Sequence, residues 1–382
     1  MPSMDAYTVV TPPQVAGPLR LEPFAALRLT PARVGDPSTG RAFARPYTGV
    51  AARLRRWQEH GRLERDPTPA LYLHEYSSAG MTIRGLVGAL DVSRRALRPD
   101  DRAVLPHEGI HPAQADELAD RMDEMGLNPA PILLVHRGTE RSRTLLDGIA
   151  AGEPRHAFTD RSEQQHRIWP ITDPALIAEI GAELSHATAL IADGHHRYAA
   201  YLRLQRRHPG TSFDHGLAML VDQTATPLFL GPIHRTLAGT TLDDLRNAAE
   251  SAGFAFHEGT RDAALAALDA SHLAITDGER WARIDLDVAD DVAAVETLHR
   301  RLLPALPHGP TTLGFHHTVQ HALAQADPAL GIAVLLPAPS VDLVQRIAEQ
   351  DRLLPEKATS FQPKPSLGVL IRPLHDEPDE PT

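Results

Sequence analysis

Apolar and polar positions along this chain switch repeatedly between a helical and a strand period, and the switches lay out its elements. Leu21 to Arg28 reads as the entry to a first strand, and Arg45-Pro46-Tyr47 as a rigid turn. Residues 48–62 carry Val50, Leu54 and Trp57 on one helical face. Ala70 to Tyr76 and Ile83 to Leu90 have strand composition and form a predicted hairpin. Pro112 to Met125 is a polar helix with Pro at its start. Ala130 to His136 and His166 to Ile171 are apolar runs of strand length, and Asp173 to Leu184 has helical spacing. A further strand and helix follow, ending near Arg207. Leu217 to Val221 and Leu228 to Leu230 are predicted strands, and Gly231 to Arg235 a strand end. From 241 to 303 the pattern is helix, strand, helix, strand, helix; then come a buried strand at Ile332 to Leu336 and a helix at Ser340 to Gln350. Leu367 to Leu374 reads as a closing strand.

This mixture predicts an α/β or α+β fold with mixed sheets. The expected organisation has five parts. Residues 1–20 are Pro-rich and loosely ordered. Residues 21–240 form the main α/β domain, 241–303 a small α/β subdomain, and 304–375 a part that closes the main domain. The acidic tail at 376–382 is disordered.

Composition narrows the function classes. With 382 residues the chain can bury a large core. The net charge of −11 argues against non-specific nucleic-acid binding and against an anionic membrane surface. There is no Cys, so no disulfide, thiolate metal site or Cys nucleophile exists. The N-terminus lacks a signal-peptide pattern, and no apolar run reaches the length of a membrane span. The expected location is the cytoplasm. The sequence is silent on oligomeric state.

One stretch stands apart. Residues 187 to 201 read as a short strand, a one-glycine turn and a helix start. Asp193 is placed to cap the helix, and Gly194 to turn the backbone. His195, His196 and Arg197 then lie at the positive end of the helix dipole, where phosphates bind. The other reading is a solvated helix start. Adjacent helical residues point about 100° apart, so only one of the two His can share the target of Arg197.

The lysines are a second signal. Of 38 basic residues only Lys357 and Lys364 are Lys, and both lie in Leu354 to Lys364. Either codon bias left two survivors, or this segment needs a compact ammonium rather than a guanidinium fork. The second reading predicts that one of them comes close to Arg197 on a shared anion site.

With these residues in view the chain resembles the bacterial and archaeal family known as domain of unknown function 1015. Ile191-Ala-Asp-Gly-His-His-Arg-Tyr198 resembles its hallmark. Leu21-Glu-Pro-Phe24, Arg45-Pro-Tyr47, Leu105-Pro-His-Glu108, Pro232-Ile-His-Arg235 and the segment Leu354 to Lys364 resemble its other motifs, in the same order. The chain departs from that pattern at Ala199-Ala200, at Ile110, and in a short stretch between Leu29 and Arg45. The Asp-Gly-His-His-Arg element is also similar to one in the ParB/sulfiredoxin-like superfamily, to which free-serine kinases belong. The resemblance implies a ParB/sulfiredoxin-like element, binding of ATP or another nucleoside di- or triphosphate with Mg²⁺, and phosphoryl transfer to a small hydroxyl compound such as serine.

Phosphoryl transfer needs phosphate donors, a metal holder and a carboxylate for the attacking hydroxyl. Glu108 is the candidate base, and its alternative is a solvated loop carboxylate. Asp193 can cap, hold Mg²⁺, or do both. His196 joins Glu108 and Asp193 as a candidate catalytic group. Gly194, His195, His196, Arg197, Lys357, Thr359 and Lys364 are the candidate nucleotide-binding set. Arg235 is a candidate for the same pocket or a structural salt bridge. Two other readings stand beside the kinase. A nucleotide-binding regulator without kinase activity uses the same phosphate residues and no Glu108. A metal-dependent hydrolase is prompted by 21 His and the pairs at 195–196 and 316–317.

Overall fold

The computed structural model describes residues 9–37, 43, 49–287 and 289–375. The predicted turn at Arg45-Pro46-Tyr47 and the tail at 376–382 lie outside the described residues. The chain divides into two compact units. Unit 1 comprises residues 1–106, 110–228 and 363–382; unit 2 comprises 107–109 and 229–362.

Unit 1 is built on a mixed sheet of ten strands: β1 (Val15–Ala16), β2 (Leu21–Glu22), β3 (Leu71–Ser78), β4 (Met81–Asp91), β5 (Arg102–Leu105), β6 (Ile132–His136), β7 (His156–Thr159), β8 (Gln165–Ile171), β9 (Ala189–Asp193) and β10 (His215–Asp222). Their order is β1-β5-β9-β6-β10-β4-β3-β8-β7, with β2 on β4. β9 runs parallel to β5, and β10 parallel to β6; the other pairs are antiparallel. The helices are α1 (Val50–Glu59), α2 (Pro112–Met125), α3 (Glu140–Ala150), α4 (Pro174–Leu184) and α5 (His195–Arg207). One face of α1 buries Val50, Leu54 and Trp57, as their spacing predicts. Residues 71–76 of β3 are buried throughout, so the strand is covered on both faces, with His74 and Glu75 buried among apolar neighbours. The main core gathers Leu73, Leu86, Ile132, Leu134, Ile191, Tyr198, Tyr201 and Leu220. Tyr201 donates to the Leu217 carbonyl at 3.1 Å. Its ring lies so close to Gly216 that a Cβ there would sit 2.1 Å from it. α2 and α5 are linked at the surface by the pairs Arg203–Asp116 and Arg207–Asp120.

Unit 2 carries a fully antiparallel sheet of six strands: β11 (His234–Ala238), β12 (Ala255–Gly259), β13 (His272–Thr276), β14 (Trp281–Asp285), β15 (Thr312–His316) and β16 (Gly331–Leu335), in the order β12-β14-β13-β16-β11-β15. Helices at Leu242–Ser251, Arg261–Ala266 and Val341–Glu349 accompany it. Among the described residues no helix is long and apolar enough to cross a membrane.

Several expectations change. Described residues within 1–20 are packed: Val15 and Leu19 are buried, and Val15 pairs with Val104. The 241–303 subdomain is too short, because β15 and β16 belong to the same sheet; unit 2 runs on to Gln362. Only residues from Pro363 onward return to unit 1. Within Gly231 to Arg235, Gly231 does end a short strand at Phe229–Gly231, while His234 and Arg235 open β11. The closing strand shrinks to Arg372–Pro373, because Gly368 takes φ +90°, which no extended strand continues through.

The β3–β4 turn yields a stability test. Ala79 and Gly80 join the strands with φ of 51° and 79°, the two-residue turn that favours Asn-Gly or Gly-Gly. A left-handed Ala costs about 1–2 kcal/mol, part of which glycine recovers. Ala79→Gly should raise stability by about 0.5–1 kcal/mol and Tm by roughly 1–3 °C. An unchanged or lower Tm in a thermal melt would show that the turn is not under this constraint.

Candidate functional site

The predicted strand-glycine-helix junction forms in unit 1. β9 ends on Asp193, Gly194 turns the chain with φ +97°, and α5 begins at His195. Gly194 itself is the N-cap, and no side chain caps the helix. The capping role expected of Asp193 is therefore not the one it has. Its carboxylate instead accepts Arg197, four residues on, at Oδ2 and the Lys364 ammonium at Oδ1. The Arg197 guanidinium also donates to the Pro131 carbonyl. Burial pushes the Asp193 carboxyl up, and the Arg197 and Lys364 cations more than offset it, so it lies below its ordinary value. Arg197 folds back so tightly that a Cβ on Gly194 would meet its Nε at 3.0 Å. Only glycine suits the position on both grounds.

The three residues after Gly194 diverge, as helical geometry requires. His195 turns inward and is buried. Burial lowers it to about 3, so it is a neutral core imidazole and not a phosphate cation. His196 receives the backbone N–H of His111 on Nε2 at 3.0 Å and stacks on the His111 ring. An amide can only donate, so the His196 ring proton is on Nδ1 and Nε2 does not face an anion. The cation that joins Arg197 on the shared carboxylate is Lys364.

The backbone around Lys364 is held within unit 1. Tyr76 donates to the Pro363 carbonyl at 2.7 Å, and Gln164 Nε2 to the Lys364 carbonyl at 2.8 Å. Gln164 Oε1 accepts from the Ser366 amide at 3.1 Å. Beside this loop runs a buried chain: His74 Nε2 bonds His166 Nδ1 at 3.0 Å, and His166 Nε2 bonds Asp160 at 3.1 Å. No motif pointed to Tyr76, Gln164 or this chain. His74, Tyr76 and His166 lie in strands and Asp160 and Gln164 in the turn between two strands, so by position they looked like ordinary scaffold residues.

Ala199 and Ile110, two of the positions that depart from the resembling pattern, pack against each other and Ala115 in a small apolar cluster.

The second group of candidates lies in unit 2. Glu108 Oε1 accepts the amides of Ala358 and Thr359 at 3.1 and 3.3 Å, and the Thr359 hydroxyl at 3.1 Å. The Thr359 hydroxyl is thus a partner of the Glu108 carboxylate. Burial raises Glu108 to about 7 against these hydrogen bonds, so the solvated-loop alternative does not hold. Arg235 is fully buried. It makes no salt bridge among the described residues. It donates instead to the carbonyls of Ile233, Glu356 and Lys357 and to His299 Nε2. Burial lowers Arg235 to about 10. It clamps the backbone that carries Lys357 in the left-handed region, φ 52°. The exposed Lys357 ammonium and the Arg235 guanidinium each lie 4.6 Å from the centre of the Phe315 ring.

Among the described residues no group of three or more His, Asp or Glu is arranged to hold a metal ion. The His316–His317 pair diverges to Thr236 and Ser360. The metal-dependent hydrolase reading has no support in this geometry. Asp193 as a Mg²⁺ ligand meets an obstacle too, since each of its oxygens already holds a cation. A cavity of about 40 Å³ in unit 1, lined by Leu86, His136, Leu146, Ile180 and Asp222 among others, contains none of the predicted residues.

The buried His195 makes the fold sensitive to acid. Its folded value, about 3, lies below the ordinary 6.5, so the unfolded chain binds the proton more tightly. The stabilisation is complete above pH 6.5 and is lost as pH falls from 6.5 toward 3. The slope is at most about 1.4 kcal/mol per pH unit from this one group. His195→Gln should flatten the decline of Tm between pH 6.5 and 4. A variant that parallels the wild type over that window would assign the acid sensitivity to other groups.

Comparison with known proteins gives the following. The family model described as protein of unknown function (DUF1015) matches residues 3–302. That span includes Glu108, Asp193 to Arg197 and Arg235 and stops short of Lys357, Thr359 and Lys364. No curated protein matches the chain. A free serine kinase variant in complex with ADP aligns with TM-score 0.41 and 14% identity over 70% of this chain and 89% of its own. SbnI with C-terminal truncation from Staphylococcus aureus gives 0.41 and 11% over 71% and 84%. A conserved hypothetical protein from Pyrococcus furiosus gives 0.38 and 14% over 71% and 92%.

Proposed function

The chain belongs to the DUF1015 family, and we propose that this member is a nucleotide-dependent phosphotransferase: an ATP-dependent kinase of a small hydroxyl compound, free serine being the first acceptor to try. The observation that carries the reading is Glu108. A carboxylate at about 7 is poised to take a proton from a hydroxyl near neutral pH. Three donors hold its Oε1, and none of them engages Oε2.

In this reading the unit 1 cluster serves the nucleotide phosphates. Arg197 and Lys364 exchange their shared carboxylate for phosphate oxygens, which are the stronger planar and point-charge partners. The half-exposed Lys364 leaves first. Asp193, once released, is the carboxylate that can hold Mg²⁺ arriving with the nucleotide. In unit 2, Arg235 holds the backbone of the exposed Lys357. Glu108 accepts the proton that the acceptor hydroxyl loses as its oxygen bonds to the γ-phosphorus and the bond to the leaving ADP oxygen breaks.

The test is product analysis with ATP, Mg²⁺ and a panel of small alcohols and amino acids, beginning with serine. Glu108→Gln should lower kcat by about 10²–10⁴ and leave nucleotide affinity unchanged. Arg197→Ala should weaken nucleotide binding by about tenfold or more. The base works deprotonated, so kcat/KM should rise with pH through a midpoint near 7. Nucleotide binding without a phosphorylated product from any acceptor would favour the regulator, which needs only the exchange at Asp193. Full turnover by Glu108→Gln would remove Glu108 from the reaction.

A further inference from the structure

Glu108 is held on one side only. Every hydrogen bond to it among the described residues ends on Oε1. The Thr359 hydroxyl has one proton and gives it to Oε1. His107 Nε2 lies 2.8 Å from the same hydroxyl oxygen, so it supplies the donor and Thr359 accepts. The chain of contacts is His107 Nε2–H to Thr359 Oγ1–H to Glu108 Oε1. His107 is wholly buried, and its carbonyl accepts the Leu354 amide at 2.8 Å, which anchors the imidazole to the segment that carries Thr359.

We propose that His107 and Thr359 are positioning residues for Glu108: the imidazole aims the Thr359 hydroxyl, the hydroxyl and two amides pin Oε1, and Oε2 is left as the oxygen that takes the substrate proton. The proposal deepens the kinase reading and rests on it for the identity of that proton. The pinning also sets how readily the carboxyl ionises. Each donor on Oε1 favours the charged form, and burial together with the negative charge of Glu356 opposes it. Arg235 adds a favourable field from its buried guanidinium. Without the pair, Glu108 would stay protonated to higher pH and its side chain would lose its fixed rotamer.

The experiment reads the carboxyl directly. The infrared carboxyl stretch of the full-length protein is titrated and assigned by difference against Glu108→Gln. The wild type should titrate near pH 7. Thr359→Val should move the midpoint up by about one unit, since one hydrogen bond to a charged group is lost. His107→Phe should move it the same way. Thr359→Ser and His107→Gln keep a hydroxyl and an N–H donor and should restore the wild-type midpoint. At pH 7 Thr359→Val should lower kcat and leave the KM for ATP unchanged. Circular dichroism separates misfolding from the effect, and His107→Phe carries the test if Thr359→Val does not fold. A folded Thr359→Val with an unshifted midpoint overturns the proposal, as does a Thr359→Ser that titrates like Val. The titration needs no turnover. Shifted midpoints in a protein without kinase activity sink the kinase reading alone; unshifted midpoints in an active kinase sink this proposal alone.

Discussion

A single carboxylate shared by two cations organises unit 1. Asp193 lies at the carboxyl end of β9, in a parallel pairing with β5. It ties together the first turn of α5 and the returning segment after Pro363. Each of these comes from a different part of the chain, separated by up to 171 residues. Screening at the half-exposed Lys364 keeps the pair weak as a source of stability. Its importance is positional. A carboxylate that must balance Arg197 and Lys364 cannot also bend back to cap α5, so the turn falls to Gly194 alone.

Unit 2 solves a related problem with the opposite sign. Arg235 is buried without a carboxylate partner among the described residues, and its charge is spread over three carbonyls, an imidazole and an aromatic face. Such an arrangement costs desolvation energy, and the hydrogen bonds offset it only because the fork is rigid. What the cost secures is the shape of residues 356–359. Those residues hold Lys357 in a left-handed conformation and bring two amides and a hydroxyl onto Glu108. The negative Glu108 and the positive Arg235 thus stabilise each other's charged forms through a field rather than through a direct bond.

Much of the local structure was legible in the pattern of residues. The hairpin of β3 and β4, the helix at Pro112–Met125 and the strand-glycine-helix junction follow from periodicity and turn chemistry. The special status of the lysine segment followed from composition. What stayed hidden depends on contacts far apart in sequence. That β15 and β16 join the sheet of β11 and β13 cannot be read from their own periods. His195 resembles an exposed cation by its motif, and only the packing of α5 shows that it faces the core. Arg235 looked like half of a salt bridge, and its carbonyl partners at 356 and 357 lie over a hundred residues away. Thr359 looked like a ligand donor because nothing in the sequence links it to position 108.

The choice of Lys over Arg at the two exceptional positions follows from these contacts. At 364 an Arg would present a planar fork to Asp193 and could hold both carboxylate oxygens at once. It would compete with Arg197 and lock the carboxylate. An ammonium touches one oxygen, is strongly hydrated and half exposed, and so trades partners more readily. At 357 the backbone is left-handed and the side chain lies along the Phe315 ring beside the Arg235 guanidinium. A second guanidinium there would have to share that ring with the first, whereas a compact ammonium 4.6 Å from the ring centre takes less of it. In both places a compact cation fits where a forked one would bind its neighbours too firmly.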